Sequence, residues 1–186
     1  MDALTALETR SSSNLLCEPG PTPEQLTHIF KAAMRACDHR NLRAWEFLVI
    51  ADDARAAFGD LMVQAKEAAD GHSLSPDLAE KIRKKPMRAP TIIAVVAKIQ
   101  AHDKVPEIEQ LLSAGAAAQM MVTAAFAQGV GAIWRSGSMM FRPEMRAGLG
   151  LAISDQIVGF IYLGTPKANK PCPELNANDY VRYWQG

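Results

Sequence analysis

The sequence predicts an α+β sandwich, and three observations carry that reading. Short apolar runs rich in β-branched and aromatic residues recur at 45–51, 91–98, 131–137 and 156–166. Helical apolar periodicity fills the stretches between them. The resulting order is helix, helix, strand, helix, strand, long helix, strand, helix, strand, which departs from the regular strand–helix alternation of a parallel sheet. No internal repeat is visible. At 186 residues the chain has the usual length of one domain and can bury a substantial core, so residues 1–186 are read as a single unit.

Each element has a local cause. Met1, Leu4 and Leu7 recur at helical spacing, and the run Thr9-Arg10-Ser11-Ser12-Ser13-Asn14 should end that short helix, because Ser and Asn side chains compete for backbone hydrogen bonds. The next helix opens on Thr22 as N-cap, with Pro23 in the first turn and Gln25 completing a capping box. Leu26, Ile29, Phe30, Ala33 and Met34 form its apolar stripe, and it is expected to stop near Asp38. "WEFLVIA", residues 45–51, has the length and composition of a buried strand. Asp52 and Asp53 cap a helix whose face carries Phe58, Leu61, Met62 and Ala65.

The segment "ADGHSLSPDLAEKIRKKPMRAP" is polar and broken by Gly71, Pro76, Pro86 and Pro90, which predicts a surface excursion with one short helix. Its cations Arg83, Lys84, Lys85 and Arg88 read as a solvated face. "TIIAVVAK" is the second strand, followed by a long helix from about Glu107 to Gln128, roughly 33 Å at 1.5 Å per residue. That helix is apolar almost all round, so the sheet should cover one face and a partner another. Its alanines and glycine admit close approach of a second helix, which favours a dimer core. Gly129 should terminate it at positive φ. "GAIWRSG" and "QIVGFIYLGTP" are the last strands, with a short helix after Pro143 between them.

Composition excludes several classes. Lys plus Arg and Asp plus Glu each number 20, with no basic arm, so nucleic acid is not an expected partner. No membrane span is expected, and the start of the chain lacks the basic-then-apolar order of a signal peptide, so a soluble, cytoplasmic protein is anticipated. Cys17, Cys37 and Cys172 are odd in number and far apart, which suits free thiols. His28, His39, His72 and His102 show no metal-ligand spacing. Neither a P-loop nor a Gly-x-Ser-x-Gly elbow occurs. Gly129-Val130-Gly131 follows a helix and opens a strand, the reverse of the dinucleotide-binding order.

The polar residues left over lie in three segments. Arg10 and Ser12 follow the first helix, Arg35 and His39 end the second, and Trp134, Arg135 and Ser136 lie on the strand after the long helix. Arginine forks, hydroxyls and an aromatic surface together suit a phosphorylated aromatic ligand.

The segments "MDALTALETRSSS", "EPGPTPEQL", "AMRACDHRNLRAWEFLVI", "RAPTIIAVVAK", "HDKVPEIEQ", "AQGVGAIWRSG" and "IVGFIYLGTP" resemble the FMN-dependent nitroreductase family in order and spacing over nearly the whole chain. The resemblance implies a homodimer with a central, mostly antiparallel sheet flanked by helices and two FMN sites at the subunit interface. It assigns Arg10, Ser11 and Ser12 to the flavin phosphate and ribityl chain, Ser11 standing where similar proteins carry a second arginine. It assigns Arg35 and His39 to the flavin of the other subunit, Trp134, Arg135 and Ser136 to a further flavin contact, and Ala124, Ala125, Phe126, Ala127, Gln128 and Gly129 to the nicotinamide nucleotide. NADH or NADPH would then deliver hydride to flavin N5, and a nitroaromatic, quinone or related small-molecule oxidant would take its place, giving ping-pong kinetics. Arg135 is the candidate for electrostatic support of the reduced flavin and His39 a candidate acid; no protein nucleophile is implied. A flavin-binding or storage protein with little turnover, and a helical interaction module with no cofactor, are the other readings.

Overall fold

The eleven residues from Gln156 to Pro166 form the strand around which the sheet is built. The computed structural model describes residues 1–168 and 172–186. In chain order its elements are α1 (Ala3–Thr9), β1 (Leu16–Cys17), α2 (Pro23–Ala33), β2 (Trp45–Ala51), α3 (Ala54–Asp70), α4 (Pro76–Arg83), β3 (Thr91–Ala97), α5 (Glu107–Ala127), β4 (Gly131–Arg135), α6 (Pro143–Gly148) and β5 (Gln156–Pro166). All the strand pairings are antiparallel: β5 bonds β3 along 156–163, β4 along 160–164 and β1 at 165–166, and β2 pairs with β3.

The sheet separates two cores, because successive strand side chains point to opposite faces. Ile92, Ala94, Phe160 and Tyr162 face α3 and α6, where Phe58, Met62 and Met145 pack. Ile93, Val95, Ile161 and Leu163 face α2 and α5, where Ile29, Ala118 and Met121 pack. A bulge near Val158 breaks the β3–β5 register, pairing Val95 with Gly159 and Val96 with Ile157. That extra residue turns Ile157 onto the α3 face, which straight alternation from Phe160 would not do.

The capping box at Thr22 and Gln25 is formed in both directions. Gly129 follows α5 at φ 74°. Three sequence expectations need correction. Helix α2 ends at Ala33 and not near Asp38, because the chain turns through three-residue bonds from Arg35 and Ala36 and is extended by Asp38. Strand β1 has two residues, too few to carry a periodic signal. Helix α5 does have the length and apolarity of a membrane span, with residues 110–127 uncharged. It is instead a core helix on its inner side, and 44% of that window is buried inside the chain.

Close approach fixes one glycine in particular. A Cβ on Gly59 of α3 would lie 2.5 Å from the carbonyl oxygen of Arg83 at the end of α4, a backbone atom with no freedom to withdraw. Gly59→Ala should therefore lower stability by about 1–3 kcal/mol. Thermal denaturation checks this: a fall in Tm of at least ~2 °C is expected, and an unchanged Tm would show that α4 is loosely held.

Candidate functional site

The Arg10–Ser12 segment is held by one backbone bond. Ser13 N–H donates to the carbonyl of Ala132 at 2.9 Å, which lays the stretch after α1 along β4. Arg10 Nη1 donates to Ser12 Oγ at 3.4 Å, and Arg10, Ser11 and Ser12 are all half-buried. The structure thus brings Arg10, Ser11 and Ser12 to the strand that carries Trp134 and Arg135.

Those two neighbours serve opposite faces of the sheet. Trp134, 36% exposed, lies on the α5 face against Gly115 and Gly159. Arg135 lies on the α3 face, its guanidinium 5.5 Å from the centre of the Tyr162 ring. Its Nε is buried with no hydrogen-bond acceptor. Burial pushes the Tyr162 hydroxyl above its ordinary pKa, while the charges of Arg135 and Arg88 pull the other way. Arg135 and Ser136 line a cleft of about 400 Å³ with Lys85, Arg88, Met140 and Tyr162. A second cleft, about 290 Å³, is lined by Asn14, Leu15, Leu16, Arg88, Arg135 and Lys167.

The excursion before β3 is therefore only partly the solvated face that its sequence suggests. Arg83 pairs with Asp60 at 2.6 Å and Glu80 at 3.4 Å, and Lys84 pairs with Glu80 at 3.1 Å. Lys85 and Arg88 instead border the clefts of Arg135. Pro86 is the signal that could have set Arg88 apart: it breaks the helix, so a cation after it need not share the face of those before it.

Arg35 lines a different cleft, about 360 Å³, with Met34, Asp38, Asn41, Arg43 and Trp45. The adjoining turn holds three non-glycine residues in the left-handed region, Arg40, Asn41 and Arg43. Such strain costs on the order of 1–3 kcal/mol per residue and persists only where neighbours enforce it. Here Asp38 accepts from Arg43 N–H at 2.7 Å, Gln100 donates to the Leu42 carbonyl at 3.3 Å, and His39 Nδ1 lies 2.6 Å from Glu109 Oε2. The Arg35 cleft and the two Arg135 clefts share no residue.

Residues 124–129 lie at the far end of α5. Glu109 and Gln128 are nineteen positions apart in the sequence, roughly 28 Å at 1.5 Å per residue, so within one chain this segment does not meet His39. Ala125 is fully buried; Ala124, Phe126 and Ala127 are partly so; Gly129 is exposed in its turn. The Gln128 amide donates to the carbonyls of Ala124 at 2.9 Å and Gln25 at 3.4 Å. Within the chain these contacts close the helix end against α2.

The largest of these clefts, about 530 Å³, opens between α5 and the start of β5, lined in part by Leu111, Met140, Phe141, Arg146 and Ile153. Phe141 and Ile153 are 74% and 87% exposed. Asp155, 2% exposed, forms its anchored floor, accepting from Lys98 Nζ at 2.6 Å and from Ala152 N–H at 2.8 Å. Lys98 also reaches Glu46 at 3.2 Å, and the Asp155 bond holds the Lys98 ammonium above its ordinary pKa. Among the described residues, no group of three His, Cys, Asp or Glu is placed to hold a metal ion.

Fold and site together define an α+β sandwich with a cleft lined by Arg135, Arg88 and Lys85 beside its β4 strand and Trp134 on the other face of that strand. The family model for the nitroreductase family matches residues 6–165. The chain is 45% identical over 187 residues to the protein of Escherichia coli strain K12 named "Putative NAD(P)H nitroreductase YdjA", covering 99% of this chain and all of that one. It superposes on a nitroreductase-like family protein from Bacillus cereus with a TM-score of 0.81 at 18% identity, over 100% of this chain and 97% of the other. A variant of the FMN and NADPH-dependent nitroreductase NfnB from sphigopyxis sp. strain HMH gives 0.74 at 18% identity, over the whole of both chains. The chain belongs to the nitroreductase family.

The Lys98–Asp155 bond gives a pH test. A lysine whose folded pKa is raised adds stability that is fully present below its ordinary value of 10.5 and is lost as pH rises through the raised value. Asp155→Asn should cost about 1.5–3 kcal/mol near neutrality, the range for a charged hydrogen bond. Urea unfolding of both proteins from pH 7 to 11.5 should show this difference shrinking above pH 10.5; a constant gap would show that Lys98 is not the partner that matters.

Proposed function

We propose that this chain is an FMN-dependent NAD(P)H oxidoreductase acting on nitroaromatics, quinones or related small-molecule oxidants. The observation that supports this best is Arg135: its Nε is out of water with no acceptor, beside the Arg10–Ser12 segment, in a chain of the nitroreductase family. A buried donor left unpaired costs about 1–3 kcal/mol, which an anionic ligand would relieve. The donor chemistry fits a flavin mononucleotide, since arginine forks and hydroxyls suit the phosphate and ribityl chain. Arg10, Ser12, Arg135 and Ser136 would hold it, and Ser11 lies in the same segment.

When bound, FMN supplies the redox chemistry, taking hydride from NADH or NADPH and passing electrons to the oxidant in separate half-reactions. The protein's part is to bind and orient. Arg135 places fixed positive charge on a low-dielectric face lined by Tyr162, Phe160 and Met62, where charge acts more strongly than in water. Trp134 presents an indole edge from the opposite face, braced by α5 and β5. His39 lies on an exposed turn with its Nδ1 2.6 Å from Glu109 Oε2.

A homodimer is part of this reading. Leu4 and Leu7 of α1, which lies against α5, and Ile108 and Leu112 of α5 are all more than half exposed. The tail after residue 172 leaves Tyr183 and Trp184 each 84% exposed. A single chain offers no cover for so many large apolar groups, whereas a second copy would bury them.

Purified protein should be yellow, or become so with FMN. NADH or NADPH under anaerobic conditions should bleach it, and a nitroarene or quinone should restore the colour. Two-substrate kinetics should give parallel double-reciprocal lines. If neither nucleotide bleaches the bound flavin, the enzyme reading fails and flavin storage replaces it. Arg10→Ala should weaken FMN binding at least about tenfold; equal retention on dialysis would remove Arg10 from the phosphate site.

A further inference from the structure

We propose that Gly159 is a positioning residue for Trp134: its missing side chain is the seat in which the indole lies, and so sets how far that ring stands out from the sheet toward a bound flavin. The inference rests on the FMN reading above and adds to it a residue that acts through Trp134. Its starting point is the register of two strands. Trp134 pairs with Ile161 across the β4–β5 ladder, which makes Gly159 its diagonal neighbour on the α5 face. A Cβ at position 159 would overlap the indole Nε1 and lie 2.7 Å from Cδ1. The pyrrole edge of the ring therefore lies over the Gly159 backbone. The far edge, at Cη2, is 3.9 Å from where a Cβ on Gly115 of α5 would stand. One glycine thus lies at each end of the indole, which is left 36% exposed between them.

The backbone does not ask for glycine at 159. The residue is not one of the glycines at positive φ, so an L side chain could follow the same path. What excludes a side chain is the indole, with the Arg135 carbonyl a looser contact at 3.1 Å. A glycine inside a buried strand weakens it, and it is used where another group must come close. The neighbouring bulge sharpens the contrast, because Val158 packs against the α2–α5 core on this same face while Gly159 leaves room for the ring. Among the described residues the indole N–H donates to no acceptor, so packing alone places the ring.

An alanine at 159 would push the indole off its seat, since the ladders to β3 and β4 hold the backbone on both sides. Trp134 directly precedes Arg135 and Ser136, so moving the ring reshapes the aromatic surface and leaves the cations where they are. The effect should therefore fall on the ring system of a flavin and not on its phosphate, touching FMN and riboflavin alike.

The test compares wild type, Gly159→Ala, Trp134→Ala and the double variant as full-length protein. Thermal denaturation reads whether the two positions meet: Gly159→Ala should lower Tm in the wild-type background and much less beside Trp134→Ala. Fluorescence titration reads whether the seat matters to the ligand. Each single variant should bind FMN and riboflavin about three- to tenfold more weakly, the range of one aromatic contact. The absorption bands of the bound flavin should shift in the same direction in both, and the double variant should bind no more weakly than Trp134→Ala. A Gly159→Ala chain that folds only when Trp134→Ala accompanies it also supports the inference; one that folds in neither background overturns it. Lowered Tm with wild-type flavin affinity and spectrum overturns it too, leaving Gly159 a packing residue. So do losses that add in full in the double variant. Altered subunit association on sedimentation, with every flavin property intact, gives Trp134 to a contact between copies and overturns the inference while the FMN reading stands. Wild-type protein that binds neither flavin overturns both readings.

Discussion

The pairing of β4 along β5 is the constraint on which the rest of the site depends. Residues 160–164 of β5 fix the five residues Gly131–Arg135, and β4 in turn supplies the carbonyl that anchors Ser13. Without that ladder neither Arg135 nor the Arg10–Ser12 segment would have a defined place. The corner where β1, β4 and β5 meet is crowded: a Cβ on Gly164 would lie 2.6 Å from Pro90 and 3.0 Å from the Cys17 carbonyl, so only glycine lets the two strands approach β5 there. The site is thus a product of sheet packing, and its precision comes from strands buried between two helical layers.

Charge is distributed by the same architecture. The formal charges sum to zero, so the composition marks no charged surface. The placement of the charges is uneven. Carboxylates cluster with the cations of α3 and α4, where exposed pairs contribute little to stability and mainly neutralise one another. The cations that reach the cleft beside β4 come from three distant parts of the chain and have no such neighbours. Ser11 leaves the 10–12 segment with one cation, Arg10, and the cleft lined by Asn14 holds three more.

How much of this could be read from the sequence follows from how local each cause is. The strands 45–51 and 156–166, the Thr22 capping box and the Gly129 stop were legible because each rests on residues within a few positions of one another. The α2 end was not, because the chain leaves the helix through three-residue bonds at Arg35 and Ala36 with no glycine or proline to mark the stop. Arg88 and Lys167 were not, because β-sheet pairing, not sequence spacing, brings residues 14, 88, 135 and 167 to one cleft. The membrane-like length of α5 shows the converse: a local property read alone would have misplaced a helix whose inner side is packed against the sheet. Arg10, Ser12 and Arg135 were singled out from their residue types and from family resemblance, and the Ser13–Ala132 bond lays the segment of the first two along the strand of the third.

The two groups of polar residues pose a further geometric question. The Arg10–Ser12 segment runs along β4, the strand that carries Arg135, while Arg35 lines a separate cleft and His39 is fastened to the start of α5. A single chain therefore presents two partial surfaces. The left-handed turn at 40–43 is expensive to maintain, and its bonds to Asp38, Gln100 and Glu109 keep its shape. The outer face of α5, with Leu112, Gly115 and Met120 not buried by the chain itself, runs between those surfaces and offers small residues at its middle. On the dimer reading, a second α5 packing there would carry its own Arg35–His39 turn toward the Trp134 face of the first chain, and each partial surface would complete the other.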